Sequence, residues 1–227
     1  MSSVQAPHAF RHGDGYLLFY NTGGHARCLT SGDGRTWRAH VNAAGDDVFF
    51  RMGRDVCLFH DEARKRWIAY YTGTVTVDGK RRGAMVARTA PKPEGPWSEA
   101  ETPVRTQDNP ESPFVLRRGD HYYLWQQMSV YRSADPVTFD DAELVSHLTG
   151  LWYNGKYAPE IIEDDGEWYV AGYGRGIHVA KLRWTKKTPA EVARWRAKWL
   201  ATLKAELRKR DERRRKRESE KQGGGED

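Results

Sequence analysis

Asp55 and Glu111 each open a short apolar stretch, Asp55-Val56-Cys57-Leu58-Phe59 and Glu111-Ser112-Pro113-Phe114-Val115. His8 and Glu160 sit inside two further stretches of the same kind, Ala6-Pro7-His8-Ala9-Phe10 and Ala158-Pro159-Glu160-Ile161-Ile162. Arg54 immediately precedes Asp55. Carboxylates and an imidazole can move protons when a fold brings them together. A guanidinium beside them adds a planar fork of donors suited to hydroxyls or carboxylates. These five residues are scattered over more than 150 positions. Their chemistry therefore depends on elements that converge.

The elements are legible as a repeat. Each apolar stretch is followed by a polar turn and then by an aromatic-rich stretch: Tyr16–Tyr20, Trp67–Tyr71, Tyr122–Trp125 and Trp168–Ala171. That pattern predicts four β-hairpins. A third strand follows in each unit, exemplified by Ala26–Thr30, Ala84–Ala87, Val130–Arg132 and Ile177–Ala180, and an aromatic after the next turn (Trp37, Trp97, Phe139) marks the start of a fourth. Four strands recurring at roughly fifty residues is the arithmetic of a propeller blade. A β-sandwich with coincidental hairpins is the alternative. The expected fold is all-β, a propeller of the five-bladed type with about four blades present, at about 4–45, 46–104, 105–149 and 150–185. Aligning the units on Phe10, Phe59, Val115 and Ile162 places Ala6, Asp55, Glu111 and Ala158 in one register, with His8, Cys57, Pro113 and Glu160 two residues later on the same strand face. The first strand of a blade is the innermost, so both sets are expected near the central channel.

The chain changes character at its end. Thr188-Pro189-Ala190-Glu191 is a capping box with proline at the first helical position. Val192, Trp195, Trp199, Leu203 and Leu207 then fall on one helical face, and Arg208–Lys221 is nearly all charge. Residues 186–227 are expected to form a basic helix that docks through its tryptophans and ends in a frayed or disordered tail. That segment holds 15 basic and 8 acidic residues, a net of +7, which leaves the body slightly acidic although the whole chain carries +6. The charge balance thus argues against nucleic-acid binding by the main domain. The basic run is open to contact with nucleic acid or an acidic membrane, or to simple solvation.

Other classes are disfavoured. No stretch is long and apolar enough to cross a bilayer. Cys28 and Cys57 read as buried small residues, with a single bridge left open. No cluster has zinc-ligand spacing, and no glycine-rich phosphate loop leads from a strand into a helix. Neither a metal nor a cofactor is expected from the residues. No signal peptide is visible, which points to a cytoplasmic location if Met1 is the true start and leaves secretion or a periplasmic location open if residues precede it.

Asp55 at the start of an inner strand, Glu111-Ser112-Pro113-Phe114, Ala6-Pro7-His8 and Ala158-Pro159-Glu160 together resemble the five-bladed propeller glycoside hydrolases, the arabinanase, xylosidase, invertase and levansucrase group (families 43 and 32). Arg54-Asp55 is similar to the Arg-Asp-Pro motif of the invertase side, with Val56 in place of the proline, and the resemblance spans roughly residues 4–184. It implies a carbohydrate substrate cleaved at an O-glycosidic bond, or a carbohydrate-binding descendant without turnover. A propeller scaffold for protein partners is a third class. The resemblance implies that Glu111 is the general acid and Asp55 the supporting carboxylate, with Arg54, His8 and Glu160 holding substrate. Trp125, Gln126 and Tyr157 are candidates for a sugar subsite, and a channel calcium is implied by the resemblance alone. The family's base or nucleophile is an aspartate on its first blade, and the first unit here resembles the second. Either residues upstream carry that blade, or the chain binds without turnover, or a base comes from Asp14, Asp46, Asp47 or another chain.

Overall fold

A computed structural model describes residues 4–99, 102–105, 110–148, 157–174 and 176–223. The chain forms a four-bladed β-propeller followed by one C-terminal helix. The first sheet contains β1 (Gln5–His12), β2 (Gly15–Thr22), β3 (His25–Ser31) and β4 (Arg38–His40), with β5 (Val48–Phe50) pairing with the start of β3. The second contains β6 (Arg54–Asp61), β7 (Arg66–Val77), β8 (Lys80–Ala90) and β9 (Thr102–Arg105). The third contains β10 (Pro113–Arg118), β11 (His121–Gln126), β12 (Ser129–Ser133) and β13 (Leu144–His147). The fourth contains β14 (Tyr157–Asp164), β15 (Glu167–Tyr173) and β16 (Ile177–Lys181). All pairings are antiparallel, and apart from β5 the strands of each sheet follow one another as a meander.

The turns follow from local chemistry. Asp78-Gly79 and Asp165-Gly166 place both residues at positive φ, 51° and 71°, then 49° and 76°. Such mirror-image turns match the right-handed twist of the strands they join. Between the turns, β7 and β8 are buried on both faces: Ile68–Tyr71 and Ala84–Ala87 are each at most 1% exposed. A blade pressed between neighbours reads as a continuous apolar run rather than an alternating one, which is why these segments carry so few charges.

Aromatic and small residues join sheets one and two. Phe19, Phe49 and Phe50 pack with Val56, Leu58, Ala69 and Tyr71, and Phe50 stacks on Tyr71 at 4.7 Å between ring centroids. Polar clasps join sheets two and three. The Tyr70 hydroxyl donates to the carbonyl of Pro136 at 2.8 Å. Asp61, fully buried, accepts from Arg64 at 2.9 Å and from the Tyr122 hydroxyl at 3.2 Å. Burial pushes the Asp61 carboxyl up, but the hydrogen bonds from Arg64 and Tyr122, with the charges of Arg64 and Arg66, hold it below the usual carboxylate range.

Three expectations change in detail. Trp97 and Phe139 do not open fourth strands. Trp97 lies in an extended loop before β9, and Phe139 leads into a short 3-10 turn (Asp141–Glu143) before β13. The segment 48–50, read as the start of the second blade, hydrogen-bonds to β3 and belongs to the first sheet. The charged stretch 208–221, read as frayed, continues the helix α1 (Pro189–Gly223). Its i,i+4 pairs of opposite charge, such as Arg208–Glu212, Asp211–Arg215 and Glu212–Lys216, favour that continuation. At its start the capping box closes: Thr188 N–H donates to Glu191 at 2.7 Å, and Glu191 N–H donates to the Thr188 hydroxyl at 3.3 Å. Trp195 and Trp199 stack on each other at 6.1 Å. The side chains of Leu203 and Leu207 lie outside the described residues. The chain separates into two compact units, one ending at Arg183 and the other starting at Trp184.

Candidate active site

The inner strands β1, β6 and β14 open with a bulge. Gln5 pairs with Asn21 and then His8 with Phe19; Arg54 pairs with Thr72 and then Cys57 with Tyr70; Tyr157 pairs with Tyr173 and then Glu160 with Ala171. One extra residue on the inner strand turns the chain through a left-handed conformation at Ala6, Asp55 and Ala158, with φ of 48°, 57° and 54°. In the third sheet the left-handed residue is Ser112, at 54°, and Gln127 N–H donates to the Glu111 carbonyl at 3.2 Å. The position of Asp55 is therefore matched by Ser112, and Glu111 is matched by Arg54, Gln5 and Tyr157.

This corrects the register inferred for the third unit by one residue. The signal was present in the prolines: Ala6-Pro7, Ser112-Pro113 and Ala158-Pro159 align once the aromatic count is ignored. The ring of residues after the bulge is then His8, Cys57, Phe114 and Glu160, with Phe114 in place of Pro113. Contacts agree with it. The His8 imidazole lies 6.2 Å from the Phe114 ring, His8 Nδ1 stands 3.4 Å from Glu160 Oε2, and Val115 N–H donates to Cys57 Sγ at 3.4 Å.

Asp55 and Glu111 meet through Arg54. Its Nη1 lies 3.1 Å from Glu111 Oε1 and 3.9 Å from Asp55 Oδ2, so one guanidinium nitrogen spans carboxylates from two sheets. The Asp55 side chain is 11% exposed, that of Glu111 31% and that of Arg54 47%, which grades the trio from wall to solvent. Asp55 is held further from behind. Asn21 Nδ2 donates to Asp55 Oδ1 at 3.0 Å while Asp55 N–H donates to Asn21 Oδ1 at 3.0 Å, and the Thr72 hydroxyl donates to Asp55 Oδ2 at 3.3 Å. Asn21 and Thr72 escaped the sequence reading. Each is the polar residue that closes an apolar, aromatic second strand, and that placement is the signal that marks them.

His8 is buried, and neither ring nitrogen makes a hydrogen bond to the described residues. Glu160 is half-exposed beside it. The subsite candidates fare differently. Trp125 is 1% exposed and packs edge-on against Phe114, so it presents no face to a ligand. Gln126 is buried and accepts from Arg105 at 2.7 Å. The Tyr157 side chain lies outside the described residues. Both cysteines are free thiols. Burial pushes Cys28 up to about 12 and Cys57 higher still, so neither serves as a nucleophile at neutral pH.

Among the described residues, no group of three or more His, Cys, Asp or Glu side chains is arranged to hold a metal ion. The implied channel calcium does not fit the ring found here. Calcium takes six to eight oxygen ligands. His8, Cys57 and Phe114 contribute none, and Glu160 is the single carboxylate.

Asp14, Asp46 and Asp47 do not reach the pair. Asp14 sits in the turn between β1 and β2, at the opposite end of the hairpin from Asn21, roughly 20 Å along the strand. Asp46 accepts from Val48 N–H at 2.9 Å and pairs with Arg51 at 3.0 Å. Asp47 is paired with Arg27.

No family profile and no curated protein matches the sequence. Solved structures do match. A glycoside hydrolase family 43 protein of Bacillus licheniformis superposes with a TM-score of 0.59 at 15% identity, over 78% of this chain and 39% of its own. A thermostable family-43 glycoside hydrolase gives 0.59 at 13% identity, over 83% of this chain and 71% of its own. An exo-β-1,3-galactanase of Phanerochaete chrysosporium, crystallised with β-1,3-galactotriose, gives 0.53 at 13% identity, over 75% of this chain and 44% of its own. This chain thus spans about two fifths of the first of these proteins, and what it shares with all three is the propeller fold of family-43 glycoside hydrolases.

Proposed function

We propose that the mouth around Asp55, Arg54 and Glu111 is a carbohydrate site of the glycoside-hydrolase kind, acting on O-glycosidic bonds of oligo- or polysaccharides. The observation that supports this most is the single Arg54 nitrogen spanning both carboxylates. It brings together the two acidic residues that the family resemblance names, from separate blades. Glu111 protonates the leaving oxygen with the carboxyl oxygen that Arg54 does not engage. Asp55, anchored by Asn21 and Thr72, supports it and holds sugar hydroxyls. His8, whose Nδ1 stands 3.4 Å from Glu160 Oε2, adds a donor or acceptor for the ring hydroxyls. Among the described residues, none of Asp14, Asp46 and Asp47 reaches the pair to serve as the base or nucleophile that such a reaction uses.

A second reading is binding without turnover. What favours it is that Glu111 is already engaged, accepting a hydrogen bond from Arg54 at 3.1 Å. Hydrolysis of arabinosides, xylosides, fructosides and galactosides by the full chain separates the two readings, with and without added formate to substitute for a missing base. Under the first, turnover appears and Glu111→Gln lowers it by about 10²–10⁴. Equal turnover in Glu111→Gln removes the acid role. Under the second, the parent binds sugar without cleaving it, and Asp55→Asn abolishes binding.

A further inference from the structure

The second sheet is built differently from the other three. In sheets one, three and four the second strand ends within one residue of its last pairing with the inner strand. In sheet two Arg54 pairs with Thr72, and β7 and β8 then run on as a two-stranded ribbon through five more pairs, from Gly73–Ala84 to Val77–Lys80. Five pairs carry the chain about 17 Å further. β9 pairs no further along β8 than Met85, so it does not flank the ribbon. The Thr72 hydroxyl donates to Asp55, and β6 starts at Arg54. The ribbon therefore grows out of the candidate site, past the end of the inner strand where Arg54 and Glu111 meet.

A free two-stranded ribbon is marginal in water. Packing fixes the lower part of this one. Val75 packs on the core cluster that holds Phe50 and Tyr71, and a Cβ on Gly83 would stand 3.4 Å from Pro110 Cδ, one residue before Glu111. The tip is polar. It reads Asp78-Gly79-Lys80-Arg81-Arg82, three consecutive bases against one acid. All three bases are exposed, and none forms an ion pair with a described residue. Strand alternation divides them between the two faces. Lys80 and Arg82 lie opposite Val77 and Val75, whereas Arg81 lies opposite Thr76 and shares its face with Thr74 and Thr72. One guanidinium thus stands on the face that leads down to Asp55, four residues or about 14 Å along β7 from Thr72.

We propose that the carbohydrate taken by this site is acidic, and that Lys80, Arg81 and Arg82 bind carboxylate or sulfate groups on sugar residues beyond the one seated at Asp55 and Glu111. The inference rests on the carbohydrate reading of the site. Distance decides where the negative groups lie. Asp55 and Glu111 share one guanidinium, so an anionic ring between them is repelled. At about 14 Å, beyond the screening length of roughly 10 Å at 0.1 M salt, that repulsion is weak. There the unpaired bases of the tip attract instead. The arginine fork matches the two oxygens of a carboxylate. Nucleic acid fits less well, because a chain with a phosphate at every step would also carry phosphates past Asp55 and Glu111.

The test is calorimetric titration of the full chain with three oligosaccharides of equal length: a neutral galacto-oligosaccharide, the same compound sulfated, and an oligogalacturonate. At low salt one or both acidic ligands should bind about tenfold more tightly than the neutral one, and which of them does so identifies the anionic group. The ratio should shrink toward one as salt is raised to about 500 mM. The triple variant Lys80→Gln, Arg81→Gln, Arg82→Gln should bring the ratio to about one at low salt. Arg81→Lys with Arg82→Lys keeps the charges and should keep the preference, which separates lost charge from a lost ribbon. Asp55→Asn should weaken the acidic ligand too, because tip and site hold one molecule. Neutral binding with no acidic preference, or a preference that survives the triple variant, overturns this inference and leaves the carbohydrate reading standing. So does acidic binding untouched by Asp55→Asn, or single-stranded RNA bound as tightly as the acidic sugars, since the tip would then be a contact for any polyanion. Failure of all three ligands to bind overturns the carbohydrate reading itself, and this inference with it.

Discussion

At the scale of single residues, the site rests on an aspartate in a conformation that side chains avoid. A non-glycine residue in the left-handed region costs on the order of 1–3 kcal/mol when its surroundings enforce it. Asp55 adopts φ of 57°, and three hydrogen bonds from Asn21 and Thr72, counting the one its own N–H makes, offset that cost. Asparagine tolerates the same backbone and keeps an acceptor. Asp55→Asn should therefore alter urea-unfolding stability little while removing sugar affinity. Asn21→Leu removes one donor from a buried carboxylate and the acceptor of a backbone N–H, and should cost about 1–3 kcal/mol in the same experiment. Asp61 makes a separate claim. Its carboxyl is held below the usual range in the folded chain, so it binds protons more readily when unfolded. The stabilisation it supplies is complete above the unfolded value of about 3.9, and is lost as pH falls through its lower folded value. Urea midpoints measured from pH 6 downward should fall in acid, and Asp61→Asn should make that fall shallower.

At the scale of elements, the strands show what sequence makes visible and what it hides. Hairpins at Tyr16–Tyr20, Trp67–Tyr71, Tyr122–Trp125 and Trp168–Ala171 were legible, because aromatic and β-branched runs bounded by Asp and Gly leave few other conformations. The left-handed residue at the start of each inner strand was not legible. An extra residue changes which side chains share a face without changing composition, so Glu111 was aligned with Asp55 although its structural counterpart is Arg54. The contact between Asn21 and Asp55 was hidden for a different reason. It joins neighbouring sheets 34 residues apart, where no local period applies. Entry into β6 carries its own test. A Cβ on Gly53 would stand 2.9 Å from both Phe50 Cβ and Tyr71 Cδ2. Gly53→Ala should therefore destabilise by about 1–3 kcal/mol through overpacking. Because Gly53 adjoins Arg54, sugar affinity should weaken with it.

At the scale of the whole molecule, four sheets bring residues from β1, β6, β10 and β14 to one axis, and the packing that does so seals both thiols. Cys28 and Cys57 are at most 2% exposed, so a thiol reagent at pH 8 should modify neither in the native chain and both after denaturation. The rate in between reports how often the blades open. The general architecture was readable because a fifty-residue repeat writes the same blade several times. The pairing of carboxylates depended on how adjacent blades dock. That docking is the central claim, and a crystal structure of the chain with a bound oligosaccharide tests it most directly. A sugar ring seated at Asp55 and Glu111, with Arg54 turned from Glu111 toward its hydroxyls, is the predicted result; a sugar bound on an outer strand, with the Arg54–Glu111 pair undisturbed, would contradict it.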